Sequence, residues 1–170
     1  MPVKISGLPA HILLVHAVVV FVPLAALMLV ASATWPAARA KLGFLTPAVA
    51  LVALVLVPIT TNAGHWLQNH LHNDFGHTDP RIVQHAHLGG QLLWWVIPLF
   101  VVSAGLWVIG RRYNLVWRAA DGADERALPV WVTGLIAVVA TGVAVGTIIW
   151  VVRIGESGSR SIWPPGSTTG

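Results

Sequence analysis

The stretch Ala10-His-Ile-Leu-Leu-Val-His-Ala-Val-Val-Val-Phe-Val-Pro-Leu-Ala-Ala-Leu-Met-Leu-Val-Ala-Ser-Ala-Thr34 decides the fold. It contains no Asp, Glu, Lys or Arg from end to end. At about 1.5 Å per residue, a helix of this length exceeds the ~30 Å hydrocarbon core of a bilayer. A lone strand in that core would leave its backbone polar groups unsatisfied, so the reading is a transmembrane helix. Ala31-Ser32-Ala33 resembles a signal-peptidase site, but the apolar run is longer than the roughly 7–15 residues of a signal h-region. The helix is therefore expected to be retained.

Three further stretches repeat the pattern, at about 44–67, 88–109 and 130–152. The expected fold is all-α, an integral membrane bundle of four transmembrane helices over residues 1–153. A polar tail, 154–170, is expected to be flexible, because its end is rich in Pro, Gly, Ser and Thr. The loops are read as 35–43, 70–87 and 110–129. Pro23, Pro58 and Pro98 fall inside helices, where neighbouring helices can take up the freed carbonyls.

Composition agrees. Apolar residues make up 56% of the chain and charged residues 9%. A soluble domain is nearer one quarter charged, so too few charges are present to cover a water-facing surface. The formal charge is +4, yet no basic run is longer than Arg111-Arg112, which argues against a nucleic-acid partner. The absence of Cys excludes disulfides, iron–sulfur ligation and thiol chemistry. No phosphate loop or nucleophile elbow is present, and Asp74, Asp79, Asp121, Asp124, Glu125 and Glu156 all lie outside the apolar stretches. The chain is not expected to be an enzyme on its own.

Basic residues set the expected orientation. Arg39, Lys41, Arg111, Arg112, Arg118 and Arg126 fall in the first and third loops, against Lys4, Arg81, Arg153 and Arg160 on the other side. The positive-inside rule then places both termini and the His-rich middle loop outside, in a bacterial inner membrane. Trp35, Trp107, Trp117 and Trp131 would mark the inner interface, and Trp66, Trp94 and Trp150 the outer one.

The histidines carry the functional signal. His11, His16, His65, His70, His72, His77, His85 and His87 all thread to the outer side, and none follows residue 87. His16 is expected ~9 Å below the start of the first helix, and His65 at similar depth on the second. An intramembrane ionisable residue is by default a functional candidate. Facing imidazoles suit an axial pair for haem iron or a site for Zn or Cu. The candidate cofactor ligands are His16, His65, His85 and His87, and the candidate metal set is His11, His16, His65 and His85. Thr60-Thr61-Asn62 and Gln91 are expected to support such a pocket by hydrogen bonding. His70, His72 and His77 read as solvated loop residues.

The leading expectation is a haem b- or metal-binding subunit for electron transfer, or one that anchors a redox-protein partner. The alternatives are a non-catalytic structural or partner-binding subunit and a small metal or solute permease. Gly142-x-x-x-Gly146 offers close helix approach, within the chain or in a homo-oligomer.

Gly7-Leu-Pro-Ala-His11-Ile-Leu-Leu-Val-His16, followed by Pro23-Leu-Ala-Ala-Leu, resembles the opening of the bacterial membrane family called domain of unknown function 2231. Arg81-Ile-Val-Gln-His85-Ala-His87-Leu-Gly89 resembles the start of that family's third helix. The resemblance covers roughly residues 5–110 and implies a four-helix membrane domain without an established activity. It singles out His11, His16 and His85. Ile12 stands where the family usually has Pro, His65 where members often have an acidic residue, and His87 where some have Glu.

Overall fold

The uncharged stretch that opens the chain folds as α1 (Ala10–Thr34), with Pro23 accommodated inside it. The computed structural model describes residues 4–5, 8–75, 80–115 and 127–162, with side chains over 13–66, 80–113 and 128–159. After α1 come α2 (Pro36–Leu42), α3 (Leu45–Phe75), α4 (Pro80–Gln91), α5 (Leu93–Arg112) and α6 (Val130–Ile162). Two pairings of two-residue segments, Lys4–Ile5 with Leu8–Pro9 and Asn114–Leu115 with Ala127–Leu128, are too short to form a layer. The architecture is all-α, as expected.

Four spans are long and apolar enough to cross a membrane: Leu13–Thr34, Leu45–Trp66, Pro80–Arg112 and Val130–Ser159. They form a ring in which α1 packs on α3 and α6, and α5 closes against the same two helices. Ala25, Ala26, Leu29, Ala33, Ala50, Leu99, Ala140 and Ala144 fill the half of the core nearer α2. Val18, Val22, Ala53, Val57, Leu92, Val96 and Val151 fill the half nearer the histidines. Alanines let backbones approach closely, and that dispersion contact is what holds helices together where lipid is as apolar as the core. The outside is apolar too: Val20 is 60% exposed, Val138 70% and Trp94 75%. Such an exterior suits lipid, and the chain is a multi-pass membrane protein.

The structure corrects several expected boundaries. Residues 36–42, read as loop, form α2, which starts on Pro36 and stops at Gly43, whose φ of +38° few side chains would tolerate. The second helix runs past 67 to Phe75, and the third begins at Pro80, well before 88. The fourth passes 152 and ends at Ile162, so the segment 154–162, expected to be flexible, is helical. Residues 163–170 lie outside the described part of the chain. The extensions of α4 and α6 escape a hydropathy reading because their packing on one another, and not apolar character, keeps them helical.

The α2 end is fastened by polar groups. Half-buried Arg39 donates from Nε to the Ser32 carbonyl at 2.8 Å and from Nη2 to the Ala33 carbonyl at 3.0 Å. These carbonyls close α1, where intrahelical donors run out. Burial lowers the Arg39 pKa from its ordinary value, yet an arginine stays charged in a protein. Ser32 Oγ and Thr46 Oγ1, both buried, meet at 3.1 Å and tie α1 to α3. Arg111 lies 5.2 Å over the Trp107 ring at this end, and Arg153 5.7 Å over Trp150 at the other. Both pairs join an amphipathic ring to a cation, as suits an interface.

Candidate functional site

The third span changes its hydrogen-bond ladder where α4 meets α5. Leu92 N–H donates to Gly89 O at 3.2 Å, three residues back, and not to Leu88 O. The Trp150 indole takes up the freed carbonyl, donating from Nε1 to Leu88 O at 3.2 Å. The altered turn follows Gly89-Gly90, a pair that weakens a helix locally. It leaves α4 packed on α3 and α6 at the histidine end.

There the helices border an open cavity of about 220 Å³, at which His65 is exposed. Val15, Val18 and Val19 of α1 form one wall, and Val57, Thr60, Thr61, Gly64 and His65 of α3 a second. Ile82, His85, Ala86 and Gly89 of α4 face them, and Leu92, Val151 and Ile154 complete the lining. The spacing within each wall follows one helical face. Gly64, Ala86 and Gly89 carry little or no side chain, so the space beside the imidazoles is left open.

Two of the expected ligands, His65 and His85, thus share one cavity. His16 does not line it. Val15, Val18 and Val19 line it, and one residue of helix turns about 100°. His16 is accordingly exposed on the rim of the bundle. His87 is also exposed, with its Nδ1 3.5 Å from Gln91 Nε2, at the limit of a hydrogen bond. Of the three positions marked by the family resemblance, His85 lies on the cavity and His16 does not. The side chain of His11 lies outside the described residues, as do those of His70 and His72, and His77 lies outside them altogether.

The expected supporting residues behave differently from expectation. Thr60 and Thr61 line the cavity, but their hydroxyls donate to Leu56 O at 2.8 Å and Val57 O at 2.9 Å in their own helix. Their lone pairs, not their protons, are offered to the cavity. Asn62 is exposed and faces away. Gln91 bonds toward His87 and does not line the wall.

A residue absent from the sequence reading supports the site instead. His85 Nδ1 lies 2.9 Å from Ser157 Oγ, and Ser157 Oγ donates to Ile154 O at 2.8 Å. Beneath the ring lies Gly158: a Cβ placed there would sit 3.1 Å from His85 Cε1 and 3.4 Å from Nδ1. A side chain there would require the ring to give by a few tenths of an ångström. No sequence signal marks Ser157, since it lies in the polar run Gly155-Glu156-Ser157-Gly158-Ser159.

Among the described residues no group of three or more His, Asp or Glu gathers as a metal cluster. The site therefore offers two imidazoles, two threonine oxygens and an apolar wall. Comparison with protein-family models, with curated protein sequences and with solved structures finds no match to this chain.

Proposed function

We propose that this multi-pass membrane protein is a subunit that binds b-type haem through His65 and His85 and serves electron transfer. One observation carries the reading: two imidazoles from different helices line a single, otherwise largely apolar cavity bordered by Gly64, Ala86 and Gly89. A bare Zn ion takes three or four protein ligands, and no such group gathers among the described residues. Porphyrin brings four nitrogens of its own, so two histidines would suffice to hold it. Haem iron, when bound, supplies a one-electron couple.

The remaining contributions belong to the chain. His65 and His85 would hold the group. Valines 15, 18, 19 and 57 would exclude water, and the glycines would admit a flat group. The void of about 220 Å³ is below the roughly 300–1,000 Å³ of pockets that enclose drug-sized ligands. Loading therefore requires the walls to part. By the Lys/Arg asymmetry this end would face outside, where a redox protein could dock.

Visible spectra of the protein purified from native membranes, oxidised and then dithionite-reduced, test the reading. The wild type should show the Soret and α/β bands of b-type haem. His65→Ala and His85→Ala should lose them, and His16→Ala should keep them. A colourless wild type overturns the proposal. Haem lost from His16→Ala but kept in His65→Ala overturns the pairing.

A further inference from the structure

We infer that Ser157 is a positioning residue that holds the His85 imidazole as its Nδ1–H tautomer, so that Nε2 is the atom available to a metal or a proton. A serine hydroxyl has one proton. That of Ser157 is committed to Ile154 O at 2.8 Å, so Oγ can only accept from His85 Nδ1 at 2.9 Å. In neutral imidazole one nitrogen donates and the other bears the lone pair, which leaves Nε2 as the acceptor. Histidines that bind metals are commonly oriented by such a bond from the second ring nitrogen.

The rest of the neighbourhood fixes the ring's place. The backbone of Gly158 lies against the Cε1 edge. The Trp150 indole, two turns earlier on α6, is bonded to Leu88 O and so keeps α6 alongside α4. Ser157 acts from one helix on a ligand carried by another, and the ten helical residues of α6 beyond 152 have this contact among their uses.

The consequence for haem rests on the function proposed above, but the tautomer does not, and one experiment separates them. The full chain is labelled with 15N-histidine and compared as wild type, Ser157→Ala and Ser157→Thr, with haem content measured on the same samples. In haem-free wild type, His85 Nδ1 should give the pyrrole-type signal and Nε2 the pyridine-type signal. Ser157→Ala should mix or invert the tautomers and weaken haem retention by about 10–100-fold. Ser157→Thr, which keeps the hydroxyl, should restore both. A pyridine-type Nδ1 in the wild type overturns the inference, as does a tautomer unchanged in a folded Ser157→Ala. Colourless protein with the expected tautomer pattern upholds the positioning role and removes only the haem reading.

Discussion

Substituting Gly146 by alanine should destabilise the bundle, while the same change at Gly142 should not. A Cβ built on Gly146 overlaps Trp95 Cζ3 and comes within 2.7 Å of Cη2 and 2.8 Å of Cε3. No real Cβ tolerates such approaches, so the indole or the helix must shift. Trp95 has little room to give. It stacks on Trp150 with centroids 6.0 Å apart and planes 26° apart, and the Trp150 indole is itself bonded to Leu88 O. Overpacking of this kind costs about 1–3 kcal/mol, and a rigid ring on a rigid neighbour places the penalty in the upper half of that range. Both glycine changes gain about 1 kcal/mol of helix propensity, which cancels in the comparison. Gly142 is exposed, with nothing within 4 Å of an added Cβ. Gly146→Ala should therefore be less stable than Gly142→Ala by about 2–3 kcal/mol. Unfolding titrations of the two purified variants in mixed micelles measure the difference. Equal midpoints, or a more stable Gly146→Ala, would refute the packing of α6 on α5 through this glycine.

Two other expectations concern a buried hydroxyl and the orientation. Thr133 is fully buried, and its hydroxyl has no hydrogen-bond partner among the described residues. Thr133→Val, of nearly the same shape, removes an unsatisfied polar group and should leave stability unchanged or raise it by about 1 kcal/mol; a clear loss in the same titration would show that the hydroxyl is bonded after all. A reporter fused after Arg126 should be active only in its cytoplasmic form, given Arg111 and Arg112 at the end of α5. Activity of a periplasm-dependent reporter at that position would invert the orientation and bring the cavity to the cytoplasmic side.

Length and the absence of charge were enough to determine four spans, because crossing a hydrocarbon core requires a minimum run of apolar residues and internal backbone bonding. The threading of those spans also led to the expectation that the histidines gather at one end. Only the tertiary structure decided which histidines meet. A helix that is apolar all round carries no amphipathic signal to mark its inward face, so the choice between Val15 and His16 was made by packing against α3 and α6. The two glycines of α6 look alike in the sequence, yet Gly146 meets Trp95 and Gly142 meets open space. Ser157 was hidden for a related reason. The last turns of α6 are polar, and contact with α4, which no hydropathy window registers, brings the Ser157 hydroxyl to His85.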